Sequence, residues 1–322
     1  MLSRVAESLY WTARYVERAE LVSRIAHVNF HTLLDADPVG HEQSWRRVLQ
    51  LGGIDELYRE HHDDYAAQSV SAFLLWGPEN PNAVTACIAR ARENARGVRD
   101  QISTEMWEEL NRLHLFLGTS RLQGVLHAQH QLFVRVRQGS HAFQGVMRAT
   151  LPRGEAYELL RLGAHVERAD ITARILAVEY PTVADLPVDS LEETVRLTGL
   201  LKLCGAFEAF RRAESSWLRA PTVLEYLLLD QACPRTVLFC LEACQRSLQA
   251  IAAGSDRPAR AVGRLVSELA FFEVSELHGE RLAVLLDRVL RGIAEAGDEI
   301  ASTFFTSRAL VPGAYAQAQQ QQ

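Results

Sequence analysis

Long apolar runs are missing from this chain. No stretch reaches the roughly 18 uninterrupted apolar residues that a membrane span needs. The N-terminus, MLSRVAESLYWTARYVERAE, is charged throughout and reads as neither a signal peptide nor a span, so a cytoplasmic, non-membrane protein is expected. Strand signals are scarce, with no long β-branched alternation and no Asn-Gly or Asp-Gly hairpin turn. Five cysteines, Cys87, Cys204, Cys233, Cys240 and Cys244, form no CxxC pair, which excludes the common zinc and redox motifs. Cys240 and Cys244 lie one helical turn apart and read either as two ligands or, more ordinarily, as small core residues. There is no nucleophile elbow, phosphate loop or dinucleotide fingerprint. A net charge of −6, from 34 Lys+Arg against 40 Asp+Glu, gives neither a nucleic-acid footprint nor a polybasic membrane contact.

What is present is helical periodicity. Apolar residues recur every three or four positions across 322 residues, 48% of them hydrophobic. Leu2, Val5, Leu9, Ala13 and Val16 line one side of a first helix that reaches about Leu34, and Pro38 and Gly40 punctuate the break after it. Further helices are predicted at about 42–51, 54–62, 67–76, 81–102, 104–116, 120–149 and 154–179. A second set falls at about 190–203, 205–219, 221–230, 234–253, 257–276 and 278–307. Pro81, Pro221 and Pro234 fit first turns, where the missing N–H has no helical partner. Ser190 with Glu193 reads as a capping box. The Tyr180-Pro181 step is expected to end its helix.

The chain also resembles itself. Residues 13–25, ARYVERAELVSRI, match residues 163–175, GAHVERADITARI, 150 positions later. Gly53 and Glu56 match Gly205 and Glu208; Pro81 and Cys87 match Pro234 and Cys240; Leu132 and Gly139 match Leu285 and Gly292, all at 152 or 153. Matched Gly and Pro residues are not dictated by periodicity, so tandem duplication of one helical unit is expected. The expected fold is all-α, with two helical-bundle halves in a pseudo-twofold relation: residues 1–151, residues 152–308 and a disordered Gln-rich tail, 309–322. Equivalent helices, and the motifs on them, could then face each other; side-by-side packing is the alternative.

The motif itself is acid–arginine. At 100° per residue Glu20 falls in the middle of the apolar stripe of its helix, with Glu17 and Arg24 at the edge, and Asp170 repeats this beside Leu159, Gly163 and Val166. A carboxylate on a core-facing stripe needs a partner, and Arg24 and Arg174 lie four residues on, in the favourable order. Three readings stand. Glu17, Arg18, Glu20, Arg24, Glu167, Arg168, Asp170 and Arg174 form a polar clasp between the halves. Alternatively, the arginines are a paired site for a carboxylate or phosphate, oriented by the acids. The third reading is a surface ion pair of no consequence. A clasp predicts that Arg24→Glu destabilises the fold and that adding Glu20→Arg restores part of the loss. His27 and His31 are one turn apart, and His127 and His130 nearly so, but the paired Glu-x-x-His pattern of a carboxylate-bridged metal site is absent and no metal is expected. Glu60-His61-His62-Asp63-Asp64 reads as a solvated turn, and Trp11, Trp45, Trp76, Trp107 and Trp217 as core or interface anchors.

These stretches resemble the bacterial alpha-E family, a helical family named for its Glu-Arg motif. The matching segments are Met1 to Trp11 leading into Glu17-Arg18-Ala19-Glu20, Arg92 to Arg96 running on to Ile102–Asn111, and Arg153-Gly154-Glu155 leading into Glu167-Arg168-Ala169-Asp170. Two positions depart from the family pattern. Ala164 stands where an arginine precedes the second motif, a position the first copy keeps as Arg14, and His165 stands where an aromatic is usual, so the second site reads as degraded. The resemblance implies company: members occur beside, or fused to, a circularly permuted ATP-grasp ligase, with a transglutaminase-like peptidase and a proteasome-like hydrolase as common neighbours. It implies a non-catalytic partner subunit of an ATP-dependent amidoligase, ATP and magnesium being held by the ligase. Arg18, Arg24, Arg168 and Arg174 would contribute to an amino-acid or peptide site. Alternatives are a stand-alone enzyme with Glu17 or Glu20 as general acid or base, a small-molecule binder, or a carboxylate-bridged metal protein.

Overall fold

Helix α1 (Ser3–Leu34) and helix α8 (Glu155–Ala184) cross at a glycine. A Cβ on Gly163 would collide with the Tyr10 carbonyl, so the two backbones meet there at a distance only glycine permits. This crossing is the centre of the molecule, and the other helices pack around it. The computed structural model describes residues 1–34, 40–120, 126–213, 218–251, 255–272 and 280–305. Among them there is helix and no strand, as the periodicity predicts.

The first helix is followed by α2 (His41–Leu51), α3 (Asp55–Arg59), α4 (Ala67–Trp76), α5 (Val84–Gly97), α6 (Thr104–Ser120) and α7 (Leu126–Thr150). After α8 come α9 (Leu191–Cys204), α10 (Phe207–Ala213), α11 (Ala220–Leu229), α12 (Val237–Ala250), α13 (Arg257–Ala270) and α14 (Glu280–Ile300), closed by a π-helical turn at Ala301–Phe305. The order of long and short helices in α1–α7 recurs in α8–α14. α1 packs on α5 and α7, while α8 packs on α12 and α14. Gly139 leaves room for Leu113 between α7 and α6, and Gly292 leaves the same room for Leu265 between α14 and α13. Gly53 and Gly205 both take positive φ, 65° and 68°, at the turns that follow α2 and α9. Each half also reaches across, α1 touching α9 and α2 touching α8.

Local rules account for most boundaries. Ser190 Oγ accepts from the Glu193 N–H at 3.0 Å, and the Glu193 carboxylate accepts from Asp189 N–H at 2.7 Å, so the predicted cap is present with its return bond shifted by one residue. Three expectations need correction. Pro81 and Pro234 lie three residues before α5 and α12, in the preceding turns; Pro221 alone of the three sits at a helix start. Pro181 does not end α8, which continues to Ala184; a proline so near the C-terminus forfeits one hydrogen bond, and burial of Tyr180 and Val183 on either side holds the last turn in place. The helix predicted at 54–62 shrinks to α3, little more than one turn, and of the helix predicted at 205–219 α10 is described to Ala213, residues 214–217 lying outside the described residues. Trp45 is buried, and Trp11, Trp76 and Trp107 pack partly buried against the core. Trp217, the 35–39 break and the tail lie outside the described residues, as does the His127 side chain. All five cysteines are buried free thiols. Burial pushes Cys87, Cys204 and Cys240 up to about 12, which makes them core residues with unreactive sulfur.

Candidate functional site

The two acid–arginine motifs exchange partners across the crossing. Glu17 of α1 accepts from Arg168 of α8, at 2.9 Å from Nε and 2.5 Å from Nη2. Glu167 of α8 accepts from Arg18 of α1, at 2.6 Å from Nε and 3.1 Å from Nη2. Each glutamate therefore takes the two donors on the Nε–Nη2 edge of the other motif's guanidinium, the bidentate geometry that favours arginine over lysine. Gln144 of α7 completes the first pair by donating to Glu17 and accepting from Arg168, and Arg14 completes the second by donating to Glu167 at 2.7 Å. Arg14 also lies over the Trp11 ring at 5.0 Å.

The second acid of each motif bonds within its own helix, and here the two sides differ. Glu20 is fully buried and pairs with Arg24. It also meets Arg235 Nη1 at 3.4 Å, His141 Nε2 at 3.3 Å and Arg137 Nε at 4.0 Å. Burial alone would raise the Glu20 carboxyl. The charges of Arg24 and Arg235, with hydrogen bonds from His141 and Arg24, outweigh it and hold the group well below the usual carboxylate range. Arg235 answers in kind: burial first, then the charge of Arg24, brings it down to about 10. Arg24 continues to the far half, donating from Nη1 to the Cys204 carbonyl at 2.9 Å. Asp170 and Arg174 make the corresponding pair at 3.1 Å, but they are 25% and 40% exposed, so the expectation of two buried stripe carboxylates holds for Glu20 only.

One substitution between matched positions explains the difference. Arg235 follows Pro234 as Asn82 follows Pro81. Arg235 is long enough to fill the space beside Glu20 and also comes within 3.8 Å of Glu17. Asn82 reaches only Arg18, accepting from Nη1 at 2.9 Å, and the space beyond it stays open. That space is a cavity of about 220 Å³ between α1, α2 and α8. Arg18, Asn82, Glu167, Asp170 and Arg174 form its polar wall; Leu21, Ile25, Val48 and Ile54 are among its apolar lining. The second motif, which the Ala164 and His165 departures marked as the degraded one, is thus the one that lies beside open space. An arginine at position 164 would, on the pattern of Arg14, serve Glu17, and there Gln144 of α7 donates instead.

His165 is buried and passes its Nδ1 to the Arg161 carbonyl at 2.7 Å. Burial, then the charge of Arg168, lowers it to about 3. Away from the crossing, His27 and His31 of α1 meet His130 of α7, with ring nitrogens within 4.8 Å of one another. Burial, followed by the charge of Arg137, lowers His27 to about 4, and burial lowers His130 too. His62 of the 60–64 turn stacks on Tyr58 at 4.3 Å, while His61, Asp63 and Asp64 are exposed as expected.

A family model described as a predicted alpha-helical domain with a conserved ER motif, Alpha-E, matches residues 1–305. The chain belongs to the Alpha-E family. Glu17-Arg18 and Glu167-Arg168, the residues that exchange partners, are Glu-Arg pairs within the matched region. Similar proteins include uncharacterized proteins of Mycobacterium bovis and of two strains of Mycobacterium tuberculosis, each 22% identical over 333 residues. The alignment covers 96% of this Alpha-E chain and 37% of each relative, so the chain spans a little over a third of their length. No solved structure matches. No helix among the described residues of this Alpha-E protein is long and apolar enough to cross a membrane.

Proposed function

We propose that this Alpha-E chain is a helical partner subunit of a circularly permuted ATP-grasp amidoligase, and that it holds an amino acid or peptide end for the ligase. The cavity beside Asn82 carries the proposal. It offers the exposed guanidinium of Arg174 to a carboxylate, Asp170 to an ammonium group, and an apolar wall to a side chain. At about 220 Å³ it is smaller than the roughly 300–1,000 Å³ of drug-sized ligand sites, which suits a metabolite of amino-acid size. ATP and magnesium would be held by the ligase.

The exposed apolar side chains Val188, Leu191 and Val195 sit together at the start of α9, Leu191 being 80% exposed, and supply a contact for the partner protein. The greater length of the mycobacterial relatives is consistent with an Alpha-E region that works alongside a second, larger body. The recurring helix order and exchanged ion pairs support descent from a duplicated unit, with halves at 1–151 and 152–308, in which one copy of the site has closed and the other stays open. Acid–base catalysis by Glu20 is disfavoured, since its carboxyl is held far from the near-neutral value such a role requires.

Size-exclusion chromatography with light scattering, on this chain mixed with the ATP-grasp ligase of its gene neighbourhood, tests the partnership. A defined complex that forms amide bonds only with ATP and both proteins present is expected. Two separate peaks at micromolar concentration, with full ligase activity in the absence of this chain, would overturn the partnership. Calorimetric titration of this chain with free amino acids and dipeptides tests the cavity by itself, and Arg174→Gln is expected to remove the binding.

A further inference from the structure

The meeting of His27, His31 and His130 is separate from the Glu-Arg crossing and has no part in the proposal above. We infer that these three side chains form a site for a borderline divalent metal ion of the Zn²⁺ class, with one coordination position left to solvent.

The geometry comes first. His27 and His31 are four residues apart on α1 and so project from one face of it, and His130 of α7 approaches that face. The ring centroids are 4.6 Å apart for His27 and His31, 4.8 Å for His27 and His130, and 5.1 Å for His31 and His130. A tetrahedral ion with metal–nitrogen bonds of about 2.0–2.1 Å brings its ligand nitrogens together at roughly 3.4 Å. Nitrogens already within 4.8 Å reach that spacing by side-chain rotation, without movement of either helix.

The second observation is polar dissatisfaction. The Nδ1 atoms of His27 and His130 are both buried and have no hydrogen-bond partner among the described residues. A buried nitrogen without a partner carries its whole desolvation cost, and two in one cluster ask for a shared occupant. A metal ion satisfies both at once. Three neutral imidazoles suit zinc, cobalt, nickel or copper, and the absence of carboxylate in the cluster argues against magnesium or calcium. The exposed ring of His31 gives the ion a route from solvent and leaves room for water as the fourth ligand. Arg137 is the opposing charge nearby; its approach to Glu20 at 4.0 Å neutralises it in part.

Stacked histidines are also stable without metal, so the test must separate the two. The full chain, with any affinity tag removed, is stripped with chelator, dialysed, and titrated with Co²⁺ and then Zn²⁺. Expected are one equivalent bound, the visible d–d bands of tetrahedral Co²⁺, their loss on adding Zn²⁺, and a metal-dependent rise in Tm. Loss of a residue that only hydrogen-bonds to a metal ligand already weakens metal sites about 10–100-fold, so His130→Ala is expected to weaken Zn²⁺ binding about 100-fold or more. Should His130→Ala fail to fold, His31→Ala, an exposed position, carries the same expectation. Wild-type protein that binds no Co²⁺ or Zn²⁺, or variants that bind as tightly as wild type, would overturn the assignment.

Discussion

Arg24 reaches from α1 to the end of α9, where its guanidinium occupies the space a Cβ on Gly205 would need. Gly205 is therefore held by two constraints, a left-handed φ of 68° and the presence of Arg24. At the matched turn Gly53 has φ 65°, but Arg174 Nη1 stands back at 3.6 Å from its Cβ position. Gly53→Ala should cost about 1 kcal/mol, the left-handed penalty alone. Gly205→Ala must also displace a buried cation and should cost about 3 kcal/mol or more. Urea melts of the two variants make the comparison; equal losses would contradict the role given to Arg24.

Charge exchange at the first motif now has a different expected outcome from the one its sequence suggests. Arg24→Glu still destabilises. Adding Glu20→Arg does not help, because the new arginine would lie among Arg235, Arg137 and His141. Coupling belongs instead to the exchanged pair. Arg168→Met leaves the buried Glu17 without its guanidinium and should cost about 3–5 kcal/mol, and Glu17→Gln in addition should recover part of it. A double-mutant cycle from chemical denaturation reads the coupling directly; additive losses would refute it.

Acid sensitivity has two sources with separate pH windows. His165, near 6.5 when unfolded and about 3 when folded, contributes stability in full above pH 6.5 and loses it as the pH falls toward 3, because the unfolded chain takes up the proton first. His27, lowered to about 4, acts in the same direction. Glu20 and Glu167, both depressed, contribute in full above their unfolded value near 4.3 and lose it only below that. His165→Phe should therefore flatten the stability curve between pH 6.5 and 4.5 by up to about 1.4 kcal/mol per pH unit, one proton's worth. The limb below pH 4 should remain. An unchanged slope between pH 6.5 and 4.5 would place the sensitivity elsewhere.

Asn82→Arg copies onto the open side the residue that fills the closed side. The introduced guanidinium has Asp170 to meet, as Arg235 meets Glu20. Thermal stability should change by less than about 1 kcal/mol, since the cation is partnered as it enters the cavity. Binding of amino acids or dipeptides should disappear. Retained binding in a folded Asn82→Arg protein would move the ligand site away from this cavity.

Periodicity alone placed α1, α2, α4 and α8 within a few residues, because each has an apolar face that spacing records. It overextended α3, which starts after the Gly53 turn and ends at Arg59, where local pattern gives no stop. Four of the eight motif residues, Glu17, Arg18, Glu167 and Arg168, pair across the α1–α8 crossing, and the other four pair within their own helices. Arg14 stands three residues before Glu17, where the family pattern places an arginine, but Gln144, His141 and Arg137 of α7 join the motif through space, from positions that no spacing rule connects to it. Arg235 was legible in principle, since alignment of the two halves at Pro81 and Pro234 exposes the Asn82–Arg235 difference. The His27–His31 spacing was visible, while its third member depends on how α7 docks against α1.

The exchanged ion pairs also impose an order in time. Glu17 leaves the ribosome 151 residues before Arg168. At about 5–20 residues per second that interval is roughly 8–30 s, during which a carboxylate destined for full burial lacks the guanidinium it pairs with. Closing the face of α1 in that interval would strand a buried charge, so the nascent first helices are expected to stay open until the second helix of the crossing arrives. Final closure is later still, because Phe305 of the π-turn packs on Tyr10, with ring centroids 5.2 Å apart, and brings the last described residue back to α1.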